Sequence, residues 1–377
     1  MRRLIYVTGT RADFGLLLGT LRLIQQEEHL DLSICVTGMH LSERFGMTIN
    51  EIVSEGFEVT TRIPVDVEST SGLSMGRAVA RQLDQMVDHF AAVRPDAVLL
   101  LGDRGEMLAG ALAATYINIP VVHMHGGERS GSVDEPVRHS ITKLAHYHFV
   151  ATEEAKERVI KMGEEPNRVF CTGAPGIDGL TQLPDMDRKE LCRSVGFSAE
   201  RPIGLVVFHP VVQEAHLAAE QATMVLNCVR SVSLQVVWVL PNADAGGNQI
   251  REVLAQFDEP SSIVTITHIE RPRFVAWMKA ADLMIGNSSS GIIESASFGT
   301  HVVNLGSRQH GRERSDNVVD VERFDERSIV SALKKGLELG SNSVRNVYGD
   351  GRAGERIVRL LTQIPLGQSV VAKFNAY

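Results

Sequence analysis

The chain has little of what would mark a secreted, membrane-spanning or nucleic-acid-binding protein. Its 377 residues include only four cysteines. Cys35, Cys171, Cys192 and Cys228 lie far apart with no C-x-x-C pair, so no disulfide scaffold is encoded, and they read as reduced thiols of a cytoplasmic protein. No apolar run approaches the ~18–20 residues of a membrane span. The charged start Met1-Arg2-Arg3 is followed by too short an apolar stretch for a secretory leader. Positive charge is not in excess either: 38 Lys and Arg face 46 Asp and Glu, for a formal net charge of -8. The clustered basic face that nucleic acid requires is therefore missing. Aromatic residues are sparse at 5%, and there is no low-complexity tract or fixed-period repeat. What remains is 44% hydrophobic and 22% charged residues. At ~100–200 residues per domain, the length predicts two domains that each bury a core.

Short β-branched runs alternate with helix-length amphipathic segments, the rhythm of βα units around a parallel sheet. Strands are predicted over 4–8, 32–37, 97–102, 121–125, 148–151 and 169–172, with helices over 16–27, 47–55, 75–93, 106–116, 137–145 and 153–162. The pattern breaks at Gly173-Ala174-Pro175-Gly176, which predicts a domain boundary within 174–200. It resumes with strands over 204–209, 236–240, 263–267, 283–286 and 301–305, and helices over 215–229, 249–257, 273–281, 291–297, 327–339 and 354–363. The expected fold class is α/β: two doubly wound parallel-sheet domains, 1–175 and 176–360, with a cleft between them and a tail over 361–377. Ligands of such sheets lie beyond the carboxyl ends of the strands.

Three groups of residues stand at those ends. Thr8-Gly9-Thr10-Arg11-Ala12-Asp13 joins the first strand to the first helix. Its backbone N–H groups and the Arg11 guanidinium suit an anion, although the string is neither G-x-G-x-x-G nor a P-loop. Gly102-Asp103-Arg104 and His123-Met124-His125-Gly126-Gly127-Glu128 end adjacent strands and are followed by Asp134-Glu135. Asp103, His125, Glu128 and Asp134 are expected to face one pocket, where crowded carboxylates have raised pKa values and exchange protons near neutral pH. His123 and His125 share a strand face and could chelate a metal. The early Asp-x-His of a binuclear phosphoesterase is absent, however, so no metal is expected. The third group, Gly286-Asn287-Ser288-Ser289-Ser290-Gly291 with Glu294, offers hydroxyl and N–H donors to a diphosphate and a carboxylate to a ribose. His209, Asn242 and Arg308 end or follow further strands of the same half.

Together, Gly9-Thr10-Arg11-Ala12-Asp13, Gly102-Asp103-Arg104, the His-x-His-Gly-Gly-Glu128 string, Asp134-Glu135 with Arg138-His139, and Gly286 to Gly291 with Gly306-Ser307-Arg308 resemble the hydrolysing UDP-N-acetylglucosamine 2-epimerases. The resemblance runs in order from residue 4 to about 320. It implies the two-domain GT-B fold, with the last helix packed back onto the first domain, and a homodimer or homotetramer. The implied activity converts UDP-N-acetylglucosamine to N-acetylmannosamine and UDP by anti elimination and hydration, for sialic acid biosynthesis. Alternatives are the same reaction on UDP- or GDP-N,N'-diacetylbacillosamine, a non-hydrolysing 2-epimerase and a GT-B glycosyltransferase. Asp103, Glu128 and Asp134 would form the acid–base group with His125, where some relatives carry Glu. Arg11, Arg104, His209, Asn242, Ser288, Ser289, Glu294 and Arg308 would bind the nucleotide. Neither a nicotinamide cofactor nor a catalytic metal is implied, and the partner is the nucleotide sugar, not nucleic acid or membrane.

Overall fold

A computed structural model describes all residues except Thr70, Pro184, 258–261, 341–343 and Tyr377. Pro184 falls in the expected interdomain stretch and so lies outside the described residues. The first sheet contains β1 (Arg2–Thr8), β2 (Leu30–Thr37), β3 (Glu58–Ile63), β4 (Ala97–Leu101), β5 (Val121–Met124), β6 (Tyr147–Val150) and β7 (Val169–Cys171). Its strands are all parallel, in the order β3-β2-β1-β4-β5-β6-β7. The second sheet contains β8 (Ile203–Val207), β9 (Gln235–Val239), β10 (Ile263–Ile266), β11 (Leu283–Gly286), β12 (Val302–Leu305) and β13 (Val318–Val321), also parallel, in the order β10-β9-β8-β11-β12-β13.

Helices cover both faces of each sheet, so central strands such as β4 and β8 are buried along their whole length and read as unbroken apolar runs. Strand order reverses between β1 and β4 in one sheet and between β8 and β11 in the other. At each reversal the following loops diverge and leave a crevice at the carboxyl ends. The turns after β1 and β4 thereby come to face those after β8 and β11.

The sequence reading misses β3, β13 and the helix Arg188–Ser194. Both strands are sheet edges with partly exposed residues, so neither forms a strong apolar run. The return to the first domain begins at the helix Ala353–Gln363, ahead of residue 361. Ile357, Leu361, Ile364 and Val370 join Leu17, Leu21 and Ile24 of the helix Arg11–Gln26 in one core. The Arg2 guanidinium donates to the carbonyls of Leu361 and Ile364, both at 2.6 Å, and closes the end of the returning helix.

Candidate active site

The turn after β1 is built around a buried carboxylate. Thr10 caps the helix Arg11–Gln26 in a reciprocal box with Asp13. Asp13 accepts from Thr8 Oγ1 at 2.6 Å, Gly9 N at 3.1 Å and Thr10 N at 3.2 Å. The Gly9 and Thr10 amides are therefore committed internally, while Thr10, Arg11 and Ala12 of this turn line the cleft. Burial and the nearby Glu106 push Asp13 up to about 7. A Cβ on Gly9 would lie 2.3 Å from Glu106 Oε1, so glycine is what lets the ends of β1 and β4 approach. Arg11 reaches across to His268 Nδ1 at 2.6 Å, and His268 in turn meets Glu51 at 2.5 Å.

Beyond β4, β5 and β6, each expected acid–base carboxylate has an arginine partner. Asp103 pairs with Arg138, which is buried and also donates to Glu128 O at 2.9 Å and Ser130 Oγ at 3.2 Å. Glu128 meets His125 Nδ1 through one oxygen and forms an ion pair through the other with Arg312 of the second domain, at 3.0 Å. Asp134 opens the helix Asp134–Leu144, accepts from Ser132 Oγ at 2.7 Å and lies 3.7 Å from Arg308. These partners change the expected electrostatics: although burial opposes it, Arg312 and His125 hold Glu128 below the usual carboxylate range. The crowding expected to raise its pKa is offset by these partners.

His125 adopts a left-handed backbone, φ +61°, which turns its ring onto Glu128. His123 does not share that site. Its Nε2 meets Gly102 O at 2.7 Å and its Nδ1 meets Thr142 Oγ1 at 3.1 Å. Burial pushes it down to about 3, so it is neutral, with one nitrogen donating and the other accepting. Both His123 nitrogens are thus already used within the protein.

In the second domain, Asn287 ties β8 to β11. Its amide accepts from His209 N and donates to His209 O, each at 2.8 Å, while its own carbonyl receives Arg308 at 3.1 Å and Gln309 at 2.9 Å. Arg308 thereby stands between the second-domain turn and Asp134. Burial, with Arg308 nearby, pushes His209 down to about 3. Gly286 has φ +133°, and a Cβ there would lie 2.2 Å from Val207 O. Gly286→Ala is therefore expected to cost about 3 kcal/mol or more in urea unfolding, since neighbouring backbone must move. A midpoint equal to wild type would contradict this packing.

Arg11, His209, Asn242, Ser288, Ser289 and Glu294 line one interdomain cavity of about 390 Å³. Glu294 is buried, which raises its pKa, and Arg271 approaches it at 2.5 Å. Arg104 is not part of this lining. It bridges Glu106 at 2.8 Å and Asp244 of the second domain at 3.3 Å, and these carboxylates raise its pKa against the effect of burial. Asp103, His125, Glu128, Asp134 and Arg308 form a separate group, linked to the cavity through Asn287 and Arg308.

The family described as UDP-N-acetylglucosamine 2-epimerase matches residues 22–362. The chain belongs to this family. Within the 2-epimerases it is 48% identical, over 378 aligned residues and the full length of both chains, to "UDP-N,N'-diacetylbacillosamine 2-epimerase (hydrolyzing)" of Legionella pneumophila. It is 34% identical to "GDP/UDP-N,N'-diacetylbacillosamine 2-epimerase (hydrolyzing)" of Campylobacter jejuni, with 86% and 85% of the two chains covered. Identity is 31% to a UDP-N-acetylglucosamine 2-epimerase of Neisseria meningitidis, covering 93% and 92%. A crystal structure of UDP-GlcNAc 2-epimerase from Neisseria meningitidis bound to UDP-GlcNAc shares the fold, with TM-score 0.79, 19% identity and coverage of 96% and 100%.

For this 2-epimerase, the sequence reading misses the partners more than the carboxylates. Arg312 and Arg271 carry no strand-end signal, and Arg138 was noted only through the resemblance. Asp13, Glu106 and Asp244 are local caps or loop residues until the folded chain brings them together. Among the described residues, no helix is long and apolar enough to cross a membrane.

Proposed function

We propose that this 2-epimerase hydrolyses UDP-N,N'-diacetylbacillosamine, rather than the UDP-N-acetylglucosamine first expected from the sequence. The supporting observation is the 48% identity over both full lengths to the diacetylbacillosamine relative, against 31% to the N-acetylglucosamine relative. In the proposed reaction a base takes the C2 proton while UDP leaves C1 from the opposite face, giving a 2-acetamidoglycal. Water then adds its oxygen to C1, and a proton returns to C2 on the other face. The products are free 2,4-diacetamido-2,4,6-trideoxymannose and UDP. No electrons change hands, so the balance calls for no redox cofactor.

In this reading Asp103, Glu128 and Asp134 move the protons and activate water, with His125 orienting Glu128. Arg11, Arg308, Ser288 and Ser289 stabilise the departing diphosphate, His209 and Asn242 shape the nucleotide end, and Glu294 accepts the ribose hydroxyls, while Arg104 is held by Glu106 and Asp244. Turnover in D2O is expected to release UDP and a sugar carrying one deuterium at C2. An intact epimerised nucleotide sugar, or a product without deuterium, overturns the reading.

A further inference from the structure

Beside the cleft, a smaller recess of about 70 Å³ opens between the ends of β1, β2 and β4, the loop 65–69 and the helix Gly72–Val93. Val65, Val67, Met75, Ala78 and Val79 form its wall, and Met39 lines both the recess and the cleft, so the two spaces adjoin. Its far side is the turn Arg104, Gly105 and Glu106, directly after Asp103. Most polar groups here are already spent within the protein. Arg104 pairs with both Glu106 and Asp244, Asp66 accepts from the amides of Glu68 and Ser69, and Ser74 donates to main-chain carbonyls. Gln82 offers a free amide acceptor. It is buried, and its amide nitrogen donates to Thr37 Oγ1 at 3.0 Å, but its carbonyl oxygen takes no hydrogen bond among the described residues.

A small methyl-lined space with an amide acceptor carried by a buried residue fits an acetamido group: the methyl packs against Val and Met, and the amide N–H reaches Gln82 Oε1. A sugar hydroxyl in the same place would leave most of the wall without a partner. C4 lies across a pyranose ring from C1, so it points away from the diphosphate and into the first domain. We propose that this recess receives the C4 acetamido group and thereby selects a diacetamido sugar over N-acetylglucosamine. The inference rests on the reading of the cleft as a UDP-sugar site.

The test measures equilibrium affinities in an Asp103→Asn background, which slows turnover of the nucleotide sugars during the measurement. Ala78→Leu fills the recess, and Val79→Thr places a hydroxyl on its wall with little change of shape. Both positions are only half-buried, so the fold is expected to survive. The parent is expected to bind UDP-N,N'-diacetylbacillosamine about 10–100-fold more tightly than UDP-N-acetylglucosamine. The ratio should fall towards one in Ala78→Leu and narrow in Val79→Thr, with UDP alone bound unchanged. A ratio that stays put in both variants, or an equal fall for UDP and both sugars, overturns the proposal. If the wild-type protein hydrolyses neither sugar nucleotide and the ratio still collapses, the hydrolytic reading fails while the recess stands. If it hydrolyses the diacetamido sugar and the ratio is unmoved, the recess alone fails.

Discussion

Asp103→Asn is expected to lower UDP release by about 10²–10⁴-fold, the usual contribution of a positioned acid or base, while leaving UDP affinity within about twofold. An amide keeps the shape of the carboxylate and a hydrogen-bond acceptor for Arg138, but it cannot take a proton. UDP affinity is expected to hold because Asp103 is not among the residues lining the interdomain cavity. Arg138 complicates the measurement. It is 1% exposed and paired with Asp103, so removing the negative charge leaves a buried guanidinium without its countercharge. Breaking such a pair costs about 3–5 kcal/mol. Activity therefore has to be read well below the unfolding transition, with UDP binding by calorimetry as the control for folded protein. Wild-type release rates in folded variant would remove Asp103 from the acid–base group.

Arg312→Met has a comparably large expected effect, and its signature is in the pH dependence. Glu128 is 3% exposed and held in its ionised form by Arg312 at 3.0 Å and by His125. In the wild type its pKa is depressed, so its contribution to stability is present above the ordinary carboxylate value and lost as pH falls through the lowered one. Without Arg312, burial is left to dominate and the pKa rises above the unfolded value. The sign then reverses: stability is retained in acid and lost as pH rises from the ordinary carboxylate value through the raised one. Urea unfolding is expected to show a deficit of about 3–5 kcal/mol at pH 8 and a clearly smaller one at pH 5. The acidic limb of the turnover profile should move to higher pH, and Arg312→Lys should restore part of both. An equal deficit at the two pH values would mean that Arg312 acts only by packing.

The βα rhythm was legible because strands buried on both faces must be apolar throughout, as β4 and β8 are. The edges were not: β13, Val-Val-Asp-Val, has three partly exposed or exposed positions and lies among charged residues. The carboxylates were legible for a related reason, since parallel sheets put their loops, and hence Asp103 and Glu128, at one end. Their partners come from other strands' loops and from the other domain. Nothing local in Gly311-Arg312-Glu313 says that its arginine will meet Glu128, and nothing in Asp13 says that its carboxylate will consume the amides of Gly9 and Thr10. Spacing carries which groups stand at strand ends. It does not carry which charges are neutralised there, and that reverses the direction expected for Glu128.

The return of the chain to its first domain also sets an order of assembly during synthesis. Residues 188–339 contain the whole second sheet and the helices packed in its core, so that unit is complete as soon as its own stretch has left the ribosome. The first domain is translated earlier but lacks Ile357, Leu361, Ile364 and Val370, which are made only after that stretch. Domains generally fold as units in the order in which they emerge. Here the later unit can close first, and a nascent chain carrying an open first-domain core waits for residues 353–370 to seal it.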